Sequence, residues 1–165
     1  MTADSRITQR TEPTSMIIFK SATTAAIAAL ALSIGLFQSP APAEAQSSRV
    51  SIEQYGVGNG VGGAQSGRRN RLTVQQIGNR NAAISNQTGN RNRAVVGQVG
   101  SRNSAHTYQN GNGNIVGVAQ FGTGHRVVTS QDGRGNAVGV IQAGRGNTAE
   151  ARQVGAGNVA VIVQD

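Results

Sequence analysis

The chain contains no cysteine and no tryptophan, only 3 prolines, and aromatic residues make up 3% of it. Without cysteine there is neither a disulfide framework nor a thiolate metal site. With so few large side chains an ordinary globular core cannot be filled. Acidic residues are scarce as well, 7 Asp and Glu against 15 Lys and Arg, for a net charge of +8. The regularly placed Asp that calcium-binding nonapeptide repeats need is missing. The main apolar run, Ala25 to Phe37, is too short and Ala-rich for a membrane span.

Glycine is abundant, with 23 residues among 165, and asparagine and glutamine accompany it. Such a composition also describes prion-like disorder. Disorder, however, requires no period, and this chain has one. A chain disordered before assembly fits the pattern; a permanently disordered one does not.

The first 45 residues differ from the rest. Lys20 precedes the apolar run, and Ser39-Pro40-Ala41-Pro42-Ala43-Glu44-Ala45 follows it with small residues at cleavage spacing. Residues 1–45 therefore read as a secretory signal peptide, cut after Ala45 or, as second choice, Ala43. Met16 is a candidate true start. Arg6, Arg10 and Lys20 balance Asp4, Glu12 and Glu44, so the whole net charge falls on the exported part, where every Lys or Arg is arginine. A short segment, 46–48, precedes a repeat domain at 49–165.

That domain is written in one phrase, Gln-x-Gly-x-x-Asn. Glutamine stands at Gln54, Gln65, Gln76, Gln87, Gln98, Gln109, Gln120, Gln131, Gln142, Gln153 and Gln164, always eleven residues on. Asparagine follows at Asn59, Asn70, Asn81, Asn92, Asn103, Asn114, Asn136, Asn147 and Asn158, with His125 the single departure. An eleven-residue period is compatible with a right-handed helical supercoil. Glycine in every unit, at about 1 kcal/mol each inside a helix, excludes that. The alternative is a strand of about seven residues and a four-residue turn, where Gly and Asn tolerate positive φ.

Strand parity then separates two faces. Val61, Leu72, Ala83, Ala94, Ala105, Val116, Val127, Val138, Ala149 and Ala160 form one uniform small apolar column, whereas the alternate positions share no chemistry. The uniform column faces inward. The residue after glutamine alternates between Tyr55, Ile77, Val99, Phe121 and Ala143 in odd repeats and Ser66, Thr88, Asn110 and Asp132 in even ones. Two phrases thus make one 22-residue rung. The expected fold is all-β, a cross-β, amyloid-forming solenoid with strands 49–55, 71–77, 93–99, 115–121, 137–143 and 159–165 in sheet A and 60–66, 82–88, 104–110, 126–132 and 148–154 in sheet B. Large residues from Ile52 to Ile162 in sheet A oppose Gly63, Ser85, Thr107, Thr129 and Ala151 in sheet B, as close packing requires. Inward Gln and Asn would be costly unpaired; stacked rung on rung, their amides form axial ladders. Five and a half rungs would stand roughly 25 Å tall.

The last strand, Val159 to Gln164, is followed only by Asp165. An uncovered rung exposes a row of backbone donors and acceptors, so an open head-to-tail filament is expected. The phrase running from Gln76-Ile77-Gly78-Asn79-Arg80-Asn81-Ala82-Ala83 to Gln87 resembles the curlin repeat of bacterial curli subunits, and the likeness covers about residues 48–165. The resemblance implies an extracellular functional amyloid of the biofilm matrix, secreted through an outer-membrane pore with its chaperones and polymerised with other copies and with a second subunit or nucleator. It departs from the family in two places. Only Gln46-Ser47-Ser48 stands where a Gly-rich targeting segment usually precedes the repeats, and the customary opening serine is mostly missing.

Arg69, Arg80, Arg91 and Arg102 occupy one turn position in successive repeats, then Gly113, Gly124, Gly135, Gly146 and Gly157 replace them; Arg71 and Arg93 stack on sheet A. These six arginines are either a site for extracellular DNA or anionic polysaccharide or a solvated edge that slows stacking. Outward Ile77, Val95, Val99, Phe121, Ile141, Val161 and Val163 on sheet A point to lateral bundling or adhesion. His106 and His125 have no second ligand at useful spacing, and no triad recurs, so neither a metal, a cofactor, a small-molecule substrate nor catalysis is expected. The competing function is a soluble monomeric β-solenoid adhesin or ice-binding protein.

Overall fold

The computed structural model describes residues 47–165. The signal-peptide reading of 1–45, both cleavage positions and Met16 lie outside the described residues. Those described are all-β, in two parallel sheets. One contains β1 (Arg49–Tyr55), β3 (Arg71–Asn79), β5 (Arg93–Ser101), β7 (Ile115–Thr123), β9 (Ala137–Arg145) and β11 (Val159–Gln164), in that spatial order. The other contains β2 (Gly60–Ser66), β4 (Ala82–Asn90), β6 (Ser104–Asn112), β8 (Arg126–Arg134) and β10 (Thr148–Ala156), again stacked in chain order. The chain alternates between sheets, so each strand pairs with the strand two further on, in unbroken register from Arg49 over Arg71 to Gln142 beneath Gln164. This is the expected β-solenoid of two-strand rungs.

Between the sheets lie Leu72, Val74, Val96, Val116, Val118, Val138 and Val140 from one side and Ala83, Ala105, Val127, Ala149 and Ala151 from the other, all buried. Ser85, Thr107 and Thr129 fill the small middle positions of the five-stranded sheet. The Thr107 hydroxyl donates to Ser85 Oγ at 2.8 Å, whereas Thr129 Oγ1 has no partner. The side chains are small because the sheets are joined by tight turns at both edges. Burial of a Val or Leu still contributes about 1.5–3 kcal/mol, and stacking repeats it on every interior rung.

The strands differ from expectation in length. β3 to β10 have 9 residues rather than seven, because the glycine of each phrase remains in the ladder: Gly78 pairs with Gly100, and Gly100 with Gly122. Gly78 has φ +119, and a Cβ there would overlap the carbonyl oxygen of Gly100. The glycine thus serves the stacking of rungs as well as the bend. The turn proper is two residues, such as Arg80-Asn81. Hydrogen bonding continues through it, since Arg80 N–H donates to Val57 O at 2.9 Å and Arg102 N–H to Asn79 O at 3.0 Å.

Candidate assembly interface

Each phrase glutamine points into the solenoid, and Gln76, Gln87, Gln98, Gln120, Gln131 and Gln142 are fully buried. One Nε2 hydrogen goes to Oε1 of the glutamine on the next rung. Gln54, Gln76, Gln98, Gln120, Gln142 and Gln164 are linked in this way at 2.7 to 3.0 Å. Gln65, Gln87, Gln109, Gln131 and Gln153 form the second chain, at 2.6 to 3.0 Å. The other hydrogen crosses the core to the opposite sheet, as from Gln76 to Gly60 O at 3.1 Å and from Gln153 to Ala137 O at 3.1 Å. Only a carboxamide can donate and accept in this way; stacked carboxylates would repel.

The asparagines are bonded differently from the amide-to-amide stacking expected. Oδ1 of Asn59, Asn70, Asn81, Asn92 and Asn114 accepts the backbone N–H of the asparagine one rung on, at 3.0 to 3.1 Å. Nδ2 donates to the phrase glycine of the next rung, as from Asn59 to Gly78 O at 2.8 Å and Asn70 to Gly89 O at 2.8 Å. The reason is reach: asparagine sits at the turn with one methylene less, within range of the backbone. Among the described asparagines, only Asn158 to Asn136 is an amide pair, at 3.1 Å. The phrase is therefore one unit, in which the missing Cβ of Gly56 admits the Gly78 carbonyl and Asn59 binds that carbonyl.

His125 takes the asparagine position of its rung and is buried. Asn103 Oδ1 accepts its N–H at 3.1 Å, its Nδ1 accepts Asn147 N–H at 3.2 Å, and Nε2 lies 3.2 Å from Phe121 O. With Nδ1 accepting, Nε2 carries the proton and donates to Phe121. Asn147 keeps a local bond to Ala143 O at 2.7 Å. Ser48 was not anticipated: its Oγ accepts Asn70 N–H at 3.2 Å, which makes it the first member of the column. Counting eleven residues back from Asn59 reaches it.

The six arginines do not form one row. Successive phrases turn at opposite edges of the solenoid, so Arg69 and Arg91 lie on one edge and Arg80 and Arg102 on the other. The first edge has an open groove of about 480 Å³ lined by Arg68, Arg69, Asn90, Arg91 and Asn112. Arg49, Arg71 and Arg93 stack in register beside it. Arg49 and Arg68 join the cluster although the repeat alone did not single them out. Arg80 and Arg102 line the opposite groove with Val57, Asn79, Ser101 and Thr123. Arg69, Arg80, Arg91 and Arg102 all hold left-handed backbone, φ +56 to +59, which costs an L-residue roughly 1–2 kcal/mol.

His106 sits in register between Ile84 and Val128. Among the described residues no group of His, Cys, Asp or Glu could hold a metal ion. Within the described residues the glutamine chains stop with unmet bonding capacity at the two ends. Among the described residues no glutamine donates to Oε1 of Gln54 or Gln65, and no glutamine accepts above Gln153 or Gln164. One end offers acceptors and the other donors.

No curated protein matches the chain in sequence. A family model described as the curlin associated repeat matches residues 46–78 and again 67–100, and the same phrase continues in register to Gln164. Residues 46–100 of this chain are thus similar to the curlin associated repeat.

Proposed function

We propose that this protein is an exported structural subunit of a curli-like amyloid fibre, which polymerises head to tail through the ends of its solenoid. The observation that carries the reading is the difference in burial between equivalent inward residues. Val74 is 1% exposed, whereas Ile52, one rung below it, is 46% exposed. Among the described residues the core continues to its end without closing; another copy completes it, and the donor and acceptor ends of the glutamine chains match in that direction. Export, a place in the extracellular matrix, a secretion pore with chaperones, and a second subunit or nucleator belong to this reading through the family. The arginine edge adds extracellular DNA or an anionic polysaccharide as matrix ligand, with binding that falls steeply as salt rises.

Purified protein incubated at neutral pH should form thioflavin-positive fibres with a meridional reflection near the ~4.8 Å strand spacing. A stable, dye-negative monomer by sedimentation would contradict the reading and favour a soluble adhesin.

A further inference from the structure

The eleven strands of the described residues divide unevenly, six to one sheet and five to the other. The chain lays strands alternately on the two sheets, so the position that follows β11 lies over β10 and not over β11. A second copy that continues the spiral places its β1 on β10 and its β2 on β11. In its own molecule β1 belongs to the six-stranded sheet, so that second copy is turned by half a turn about the solenoid axis. We propose that successive subunits are joined with this half-turn, which makes each face of the fibre alternate between six-stranded and five-stranded sheets. The proposal rests on the fibre reading.

Stacking without the half-turn sets β1 on β11 and leaves the five-stranded sheet one strand short at every joint. The edges of β10 and of the incoming β2 would then face a gap with their backbone groups unpaired. The half-turn removes that gap. It also continues both glutamine chains, with Gln54 of the incoming copy over Gln153 and Gln65 over Gln164.

Side-chain chemistry distinguishes the two joints independently. With the half-turn, the outward residues of β1 fall over those of β10 in the order Arg49 on Thr148, Ser51 on Glu150, Glu53 on Arg152 and Tyr55 on Val154. The one carboxylate of β1 meets the one cation of β10, and Arg49 lies diagonal to Glu150. Tyr55, 60% exposed, covers Val154, 62% exposed. Without the half-turn Glu53 falls on Val163 and Tyr55 on Asp165. The core agrees. The middle inward positions of the six-stranded sheet are valine except at its two ends, Ile52 and Ile162, and the opposing column is smallest at its own ends, Gly63 and Ala151. At the half-turn joint Ile52 stacks on Ala151 and Gly63 on Ile162, so the two largest residues lie beside the two smallest.

The chain has no cysteine, so introduced pairs report cleanly. In register across a parallel joint, Cα atoms are about 4.8 Å apart, within the disulfide range of about 4.4–6.8 Å. Within one molecule β1 and β10 stand at opposite ends, too far apart to bridge. Fibres of the Glu53→Cys/Arg152→Cys variant, grown reduced and then oxidised, should dissolve into covalent multimers larger than dimers. Fibres of Glu53→Cys/Val163→Cys should dissolve into monomers. The reverse pattern overturns the half-turn and leaves the fibre reading intact, whereas wild-type protein that never polymerises overturns both. If the cysteine variants do not polymerise, charge reversal decides. Glu53→Arg and Arg152→Glu should each slow elongation several-fold and together restore it; a double variant as slow as the singles overturns the proposal.

Discussion

An interior rung and an end rung of this solenoid are written in the same phrase, yet they are in different physical states. Val74, Val96 and Val140 are sealed between neighbours above and below; Ile52 and Val50 face inward but stay half exposed because nothing described lies beneath them. The glycines repeat the contrast. A Cβ on Gly100 would overlap the Gly122 carbonyl, whereas on Gly155 it would meet nothing closer than Asn158 Nδ2 at 3.7 Å. Both keep glycine, but only the interior one is required by the molecule's own packing. Repetition therefore gives the end rungs features that a single copy does not use, and this is the physical basis for assigning them to the contact with another copy.

The largest test of this contrast is a pair of alanine substitutions. Gly100→Ala should cost roughly 3 kcal/mol or more in urea unfolding, from overlap and strained φ together. Gly155→Ala should cost only the strain, roughly 1–2 kcal/mol, but should stop elongation, because the incoming copy's Gly56 carbonyl needs the same space. Equal losses of monomer stability would break the comparison.

The two ends also differ from each other. Left-handed arginines at Arg69, Arg80, Arg91 and Arg102 burden the N-terminal rungs, whereas Gly113, Gly124, Gly135, Gly146 and Gly157 hold the same conformation toward the C-terminus. Replacing all four arginines by glycine should stabilise by roughly 0.5–1 kcal/mol per position and flatten the dependence of stability and of polyanion binding on salt. An unchanged salt slope would show that the charges act elsewhere. The smallest effect belongs to one interior corner. His125→Asn adds an Nδ2 donor that can reach the Gly144 carbonyl, as Asn103 reaches Gly122 at 3.1 Å. It should raise stability by about 1 kcal/mol, measured by thermal unfolding.

Much of this architecture was legible because a strand has a side-chain period of two and the repeat never slips. The inward column from Val61 to Ala160, the alternation after glutamine and the opposition of valine to Ser85 and Thr107 assign each strand to its sheet. Less was legible where side-chain reach or three-dimensional placement decides. Asparagine and glutamine looked alike as stacking amides, yet one methylene sends Asn81 to the backbone of its neighbours and Gln76 to another glutamine. The strands run two residues further than expected because Gly78 stays paired through its positive φ. Arg69, Arg80, Arg91 and Arg102 share a position in the phrase, but the two-phrase rung puts alternate members on opposite edges and gathers Arg49 and Arg68 with Arg69 and Arg91.

The central claim, that the solenoid ends are completed by other copies, is tested most directly by elongation of wild-type seeds with Ile52→Lys protein. Ile52 points inward at an end left open by the described residues, so on the fibre reading a lysine there is solvated until the copies join. The account predicts a folded protein, by its β-sheet circular dichroism, that elongates seeds at least tenfold more slowly, a deficit of about 1.4 kcal/mol or more. The outward control Ile141→Lys should elongate at close to the wild-type rate. Ile52→Lys protein that extends seeds as fast as wild type would contradict the account.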